Sequence, residues 1–297
     1  MKRLLIISLF MIPCNLAKGQ DMLSGLADSM AISEKVTGAF KSTRVINAHS
    51  IEMLSKRNLD FRIMHRFGFV SDGIKQLFGL DAASMRMSFD YGITNNLTLG
   101  IGRSTFRKEL DAFVKTRILQ QTKGENSIPV SIVLAAGTTV WTEPVFTPEK
   151  ASFSDRSAYY FQFIAGRKFS SAFSLQISPI IVHSNKPLSQ EDDKTIFALG
   201  GGGRFKLSKR TALTFDYHHP FGHQNTSFTD PLSIGVDIET GGHVFQLQFS
   251  NATGMNERAF ITQTTGQFFE GDIRFGFNLS RMFQLGKKTG NDKSLKF

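Results

Sequence analysis

Charged side chains recur at alternate positions in several segments of this chain, and they are the residues most able to act on a solute. If each segment is a strand, its charged residues share one face, because successive side chains of a strand point to opposite sides. This face carries six basic and three acidic residues: Arg62, Arg66, Arg86, Lys115, Arg117 and Arg274, with Asp60, Asp90 and Asp216. Around a common lumen such a set favours anions. It can equally pair across a narrow interior and fill it, so both alternatives stay open.

Three histidines, His218, His219 and His223, crowd the end of one predicted strand. Imidazoles at close spacing can bind zinc, copper or haem iron. However, the first two are adjacent and point to opposite faces while the strand lasts, and no carboxylate completes a recognised metal pattern. We expect no metal and no cofactor, and interpret these weak candidates as a polar cap at a strand end.

No residues form a recognised catalytic motif. A hydrolase needs a serine, a histidine and an orienting polar group. His65 and the sequence His183-Ser184-Asn185 contain suitable types, but no nucleophile motif stands out. The glycines at 200–203 lack the Lys-Ser/Thr that follows a phosphate-binding loop, and we interpret them as a bend or a close-packed stretch of strand. We therefore expect no catalytic residue and no enzyme.

The elements that position these residues are strands of about ten residues. Apolar and polar side chains alternate in residues 213–218 and 273–280, for example. Twelve such strands are predicted, at 58–67, 81–92, 97–106, 111–120, 128–140, 157–168, 172–182, 195–207, 211–219, 231–239, 243–251 and 271–283. An even number of strands of this length predicts an all-β fold, a transmembrane antiparallel β-barrel of about 12 strands. A soluble double sandwich is the competing fold, because its strands also alternate.

Residues 1–19 have the pattern of a secretory signal peptide, which predicts a protein of the cell outer membrane. A basic start is followed by a short apolar stretch and by small residues before a cut near Gln20. Cleavage removes Cys14, the only cysteine, so the mature chain has no disulfide and no thiolate site. It also removes Lys2, Arg3 and Lys18, so the formal charge falls from +10 to +7. In a barrel this excess can face a lumen or lipid headgroups, and we expect no nucleic-acid partner.

Short and long connections alternate between the predicted strands, as they do in outer-membrane barrels. We assign residues 58–283 to the barrel and 284–297 to a periplasmic tail. Because twelve strands are already an even number, we expect residues 20–57 to form a plug or a periplasmic segment. Pairing of residues 45–54 with a further strand near 36–41 is the alternative, which gives fourteen strands.

Three stretches resemble an uncharacterised outer-membrane β-barrel family of Bacteroidota: FKSTRVIN at 40–47, LDFRIMHRFG at 59–68 and GDIRFGFN at 271–278. The resemblance implies a barrel and a membrane, and no established activity. Members of this family often lie beside secreted c-type cytochromes and small lipocalin-like proteins. The resemblance therefore implies a respiratory or lipid-linked role as one option.

The function that we predict is passage or binding of a small solute, leaning towards anions, by a barrel in the lipid bilayer. The alternative is a non-conducting scaffold that docks a periplasmic or surface partner, such as an electron-transfer or lipid-linked protein. The long connections at 220–230 and 252–270 and the stretch 20–57 are the surfaces that such a partner would contact.

Overall fold

The computed structural model describes residues 33–143, 151–187, 193–222 and 228–286. The predicted signal peptide and His223 lie outside these residues, as does most of the predicted tail. Within them, no helix is long and apolar enough to cross a membrane.

Twelve antiparallel strands close into one barrel, in which each strand pairs with the next along the chain and the last pairs with the first. The strands are β1 (Asn58–Phe69), β2 (Ala83–Thr94), β3 (Leu97–Ser104), β4 (Glu109–Leu119), β5 (Ser131–Trp141), β6 (Ser157–Lys168), β7 (Phe173–Ser184), β8 (Thr195–Lys206), β9 (Thr211–Phe221), β10 (Leu232–Thr240), β11 (His243–Ser250) and β12 (Arg274–Gln284). Leu279 of β12 stands opposite Ile63 of β1 where the barrel closes. The predicted all-β barrel of twelve strands is confirmed.

Each predicted strand coincides with an observed one. The largest differences are three residues, at the starts of β5 and β12. Fourteen strands are not formed, because the stretch from 36 to 54 contributes only an isolated bridge between Arg44 and His49.

The two faces of the wall differ as the alternation predicts. In β9, Asp216 and His218 are buried inside the barrel, whereas Leu213, Phe215 and Tyr217 are exposed outside it. Large apolar side chains occupy the outer face around the whole barrel, including Phe89, Ile101, Phe161, Ile177, Leu199, Ile234 and Phe249. This outer face is suited to lipid tails.

The connections differ between the two ends of the barrel. Two to four residues link β2 to β3, β6 to β7, β8 to β9 and β10 to β11 at one end, named the short-turn end. The opposite, long-loop end carries the connection of 23 residues between β11 and β12. In outer-membrane barrels the shorter turns face the periplasm.

Candidate functional site in the barrel lumen

Residues 39–54, named the lumenal segment, lie inside the barrel. The chain reaches the barrel at the short-turn end, where Glu34–Lys35 pair with Thr122–Lys123. The lumenal segment turns back at its tip, where the backbone N–H of Val45 donates to the carbonyl of Ala48 at 2.9 Å. All of its residues are buried or half-buried.

Side chains of the wall bond the backbone of the lumenal segment. Lys115 Nζ donates to the carbonyls of Thr43 and Glu52, at 3.0 and 2.7 Å. Gln176 Nε2 donates to the carbonyl of His49 and Gln246 Nε2 to the carbonyl of Val45, both at 2.7 Å. Asn278 Nδ2 donates to the carbonyl of Ile46 at 3.1 Å. Asp216 Oδ2 accepts from the backbone N–H groups of Asn47 and Ala48 at 2.9 and 2.8 Å. A buried backbone outside a sheet needs such partners. Because these wall residues come from five strands, the segment is held from around the barrel.

Four basic residues of the wall meet carbonyl groups of the incoming chain, and one of them is Lys168 of β6, whose Nζ donates to the carbonyl of Thr37 at 2.8 Å. Besides the two bonds of Lys115, Arg117 Nη2 donates to the carbonyl of Ile51 at 3.3 Å. Arg204 Nη1 donates to the carbonyls of Gly38 and Ala39, both at 3.2 Å. Within the described ranges, no carboxylate lies in ion-pair contact with Lys115, Arg117 or Arg204. The backbone carbonyl groups of the chain that enters the lumen therefore point their partially negative oxygens at these cations.

Residues 251–267, named the lumenal loop, fill the lumen from the long-loop end. They include one helix, α1 (Glu257–Thr262), whose first turn is capped by Asn256, the side chain of which accepts from Ala259 N at 2.9 Å. All but a few residues of the loop are buried. Residues 252–270 were predicted to form a long outer connection, and this prediction is wrong for most of the stretch, because it folds inwards.

Apolar packing holds the lumenal loop. Phe260 and Ile261 of α1 belong to a buried cluster with inward residues of β7 and β8, namely Ile180, Val182 and Ile196. Apolar side chains on an inward face have no role in a water-filled channel, and here they form a packed core.

A buried carboxylate anchors the same loop. Glu109 Oε2 accepts from Asn256 Nδ2 at 2.5 Å, and Glu109 Oε1 forms an ion pair with Arg258. The carboxylate is fully buried and the guanidinium nearly so. Removing one partner of such a pair by substitution is strongly destabilising, because the charge of the other partner is then buried and unpaired.

The lumenal segment and the lumenal loop meet at the middle of the barrel. Arg44 Nη1 donates to Glu257 Oε1 at 2.8 Å, and both side chains are almost completely buried. His49 Nε2 lies 3.2 Å from the same oxygen and 3.1 Å from the hydroxyl of Tyr160 on β6. The two inserted parts of the chain therefore close the lumen together.

Eight of the nine charged residues predicted to line the lumen lie inside it. Asp60 accepts from Arg62 at 2.6 Å, and Arg66 Nη2 donates to Asn47 Oδ1 of the lumenal segment at 2.7 Å. Arg86 forms two bonds with Asp111, at 2.9 and 2.5 Å. These contacts place the residues in pairs and networks, and their role as the lining of a pore stays a prediction.

Two further members of the predicted set have other surroundings. Asp90 is buried, and its Oδ1 has no hydrogen-bond partner among the described residues. Arg274 lies at the long-loop rim, where its guanidinium carbon stands 3.6 Å from the ring centre of Phe69.

The basic excess expected from the sequence is smaller in a fuller set. Sequence reasoning missed the inward residues Glu109, Asp111, Asp237, Glu239, Lys168 and Arg204. Adding four acidic and two basic residues to the predicted three and six gives seven acidic and eight basic residues. The alternation in β10 already placed Asp237 and Glu239 opposite the outward Ile234, Val236 and Ile238. In β4 the inward Phe113 obscured that signal.

The histidines at the end of β9 do not come together. His218 is buried inside, whereas His219 is half exposed outside and its Nδ1 lies 2.8 Å from Asp230 Oδ2. In the part of the chain that the structure describes, no group of three His, Cys, Asp or Glu side chains could hold a metal ion. That the protein needs no metal or cofactor stays a prediction.

The histidines considered for a hydrolase lie on the outer face. His65 stacks on Phe277 with ring centres 5.0 Å apart, and His183 Nδ1 lies 2.8 Å from Thr195 Oγ1. Neither imidazole is bonded to a serine within the described residues. That the protein is no enzyme stays a prediction.

The glycine run in β8 is a close-packed stretch of wall. A Cβ on Gly200 would stand 2.3 Å from His218 Nε2 and 2.5 Å from Ser178 Oγ, and a Cβ on Gly202 would stand 3.1 Å from Val45. Ser178 Oγ, His218 Nε2 and the amide of nearby Gln162 are buried without a hydrogen-bond partner among the described residues. These polar atoms can bind water or a small solute inside the barrel.

Solved structures of several bacterial barrels are similar to this chain. The NanC porin is 10% identical, with a TM-score of 0.47 over 76% of this chain and 100% of that one. The KdgM porin is 9% identical, with a TM-score of 0.43 over 77% and 99%. The outer membrane protein Omp33 of Acinetobacter baumannii is 6% identical, with a TM-score of 0.43 over 77% and 99%. No curated protein matches the chain.

The sequence profile of one family matches residues 40–283, which is most of the chain. The match includes all of the lumenal segment except Ala39. The predicted outer-membrane location and the resemblance to an uncharacterised barrel family are confirmed, whereas an origin in Bacteroidota stays a prediction. By this match the chain belongs to the family described as "Membrane bound beta barrel domain (DUF5777)".

Proposed function

We propose that this barrel is a gated passage for small anions, closed at rest and opened by movement of the lumenal segment. One observation carries the proposal: Lys115, Arg117 and Arg204 face carbonyl oxygens of the incoming chain rather than carboxylates. When the segment moves, these three charges face the path that it leaves. An anion can then replace the carbonyl groups, because a bond between two opposite charges is stronger than a bond from a cation to a neutral carbonyl.

The lumenal loop belongs to the fixed part of this gate. It is joined to a strand at both ends and holds the apolar cluster around Phe260. Exposing apolar surface costs about 25 cal/mol per Å², and this cost applies as well to Phe40, Val45 and Ile51 of the lumenal segment. The segment differs in that its many polar bonds to the wall can be exchanged for bonds to water.

Conductance of the purified protein in a planar bilayer tests this function. We expect brief openings with anion selectivity, seen as a reversal potential displaced under a salt gradient. The triple substitution Lys115→Gln, Arg117→Gln and Arg204→Gln reduces that displacement, since each replacement removes a charge beside the path. Arg281→Gln, on the outer face, is the matched control and leaves it unchanged. Openings that prefer cations, or selectivity unaffected by the triple substitution, contradict the proposal.

A second candidate function, docking of a partner by a non-conducting barrel, is favoured by apolar side chains at the long-loop end. Leu77, Phe78 and Phe269 are exposed there, Phe269 to 92%. Ser71 Oγ donates to Asp272 Oδ1 at 3.2 Å and joins the two connections that carry these residues. An electron-transfer or lipid-linked protein is the kind of partner that the family resemblance implies.

Purification from solubilised membranes separates this second function from the first. If it holds, a partner copurifies with the unaltered chain and is lost from a variant with Phe78→Ser and Phe269→Ser, and the bilayer shows no conductance. A chain that conducts and purifies alone contradicts it.

A further inference from the structure

A groove crosses the outer face of the wall from β1 to β5. Its volume is about 650 Å³, and its lining is almost wholly apolar. Strand register explains its shape: Phe61, Phe89 and Ile101 form a tall side, and the same row continues through Ala112 and Thr138, which are small. The small residues leave a hollow beside the tall ones.

The floor of this groove stays apolar although it contains a threonine. The hydroxyl of Thr138 donates to the carbonyl of Ala158 at 3.1 Å, so its hydrogen is already used. Leu110 and Val140 form the next row in register and complete the other side. The hollow is therefore shaped for chains of methylene groups, and it is continuous with the apolar outer face.

Arg103 stands at the long-loop end of the groove. It belongs to the groove lining and pairs in register with Leu110. Its Nη1 donates to the carbonyl of Lys108 at 3.0 Å and to Thr142 Oγ1 at 3.1 Å. Both bonds come from one nitrogen, and among the described residues Nε and Nη2 have no protein acceptor.

The turn beside Arg103 adds a second cation in an unusual conformation. Arg107 and Lys108 each have a φ of 50°, the left-handed region that residues other than glycine seldom adopt. Strain of this kind gathers at binding sites. The exposed Lys108 therefore stands beside Arg103 where an apolar groove reaches the end of the wall.

We propose that this groove and turn form a binding site for an anionic phospholipid of the membrane. The acyl chains lie along Ala112 and Thr138, and the phosphate is bound by Arg103 and Lys108. Arginine binds phosphate with two parallel hydrogen bonds, which suits the nitrogens of Arg103 that face no protein acceptor. The site uses the outer face only and does not depend on the gate.

Native mass spectrometry of the purified barrel in detergent tests the site, with phosphatidylglycerol and phosphatidylcholine as probes. Both lipids carry a phosphate, but only phosphatidylglycerol has a net negative charge, so the pair tests whether the cations select an anionic lipid. We expect the barrel to retain phosphatidylglycerol in preference to phosphatidylcholine. Arg103→Gln lowers the retention of phosphatidylglycerol about fivefold, because it removes one surface cation. Ala112→Phe fills the groove and lowers retention of the same lipid.

Controls separate a lipid site from a phosphate site and from misfolding. Arg281→Gln removes an outward arginine from the opposite end and leaves retention unchanged. Inorganic phosphate in excess competes weakly if the acyl groove contributes, and completely if only the cations do. Heat-dependent migration on a gel confirms that each variant is a folded barrel. Equal retention of both lipids, complete competition by phosphate, or unchanged retention in Arg103→Gln or Ala112→Phe overturns the proposal.

Discussion

Two inserted parts of the chain close the lumen by different means. The lumenal segment, residues 39–54, is bonded through its backbone to polar and charged side chains of the wall. The lumenal loop, residues 251–267, is held by the apolar packing of α1 and by the buried pair of Glu109 with Arg258. Apolar packing also holds the lumenal segment, since Phe40, Val45, Ile51 and Met53 form a buried cluster with Val133 of β5 and Ile164 of β6. The two parts therefore differ in how their backbones are bonded to the wall, because only the segment depends on polar bonds that water or an anion can replace.

This difference indicates which part moves. Movement of either part exposes apolar surface, but the polar bonds of the segment can be exchanged for bonds to water at little cost in free energy. The lumenal segment is also joined to a strand of the barrel only through residues 55–57, whereas its other end leads to Glu34–Lys35, which pair with Thr122–Lys123 outside the barrel wall. It is therefore the gate in this account, and the lumenal loop is part of the frame.

The largest effect is expected from removing an apolar anchor of the lumenal loop. Phe260→Ala leaves a cavity beneath α1 and lowers the free energy of unfolding by about 3–5 kcal/mol. Urea unfolding of the barrel in detergent measures it. Phe269→Ala is the control, since that side chain is almost fully exposed. A loss for Phe260→Ala no larger than that of the control would show that the loop is not packed as a core.

A smaller effect is expected from weakening the attachment of the lumenal segment. Asp216→Asn removes the charge that accepts two backbone N–H bonds at the segment tip, and hydrogen bonds to charged groups contribute about 1.5–3 kcal/mol. We expect more frequent openings in the bilayer and a smaller fall in the free energy of unfolding than Phe260→Ala causes. Asp81→Asn, at an exposed position, is the control. Unchanged opening frequency contradicts the assignment of the segment as the gate.

The smallest effect is the coupling between the two parts. Arg44→Met and Glu257→Gln each break the ion pair that joins them, and a double-mutant cycle isolates its contribution. Contacting residues of this kind couple by about 0.5–3 kcal/mol. A coupling free energy near zero, measured by urea unfolding of the four proteins, would show that the segment and the loop act independently.

The wall of the barrel was predictable because its signal is local. Alternation over ten residues places Asp216 and His218 inside and Phe215 outside without any knowledge of neighbouring strands. The same rule placed all nine predicted lumen residues on the inward or rim side of the wall.

The filling of the lumen was predictable only in part, because its contacts are distant in sequence. Twelve strands were predicted from residue 58 onwards, and adding residues 45–54 as one more strand would have made the number odd. The sequence therefore favoured a plug or a periplasmic segment for this stretch, and the observed wall has twelve strands. The partners of Asp216, however, are backbone groups 168 and 169 residues away. The six residues of α1 are too few for a helical period to show in the sequence, so the lumenal loop was assigned to the outside.

A disulfide between the lumenal segment and the wall tests the central claim most directly. Asn47 Nδ2 donates to Ser233 Oγ at 3.1 Å, so the double substitution Asn47→Cys and Ser233→Cys brings two thiols together. The one native cysteine, Cys14, lies in the predicted signal peptide. The account predicts openings in the planar bilayer when the pair is reduced, their loss on oxidation, and their return with dithiothreitol. Each single substitution is the control and is insensitive to oxidation. Steady conductance that persists in the oxidised double variant would contradict the account.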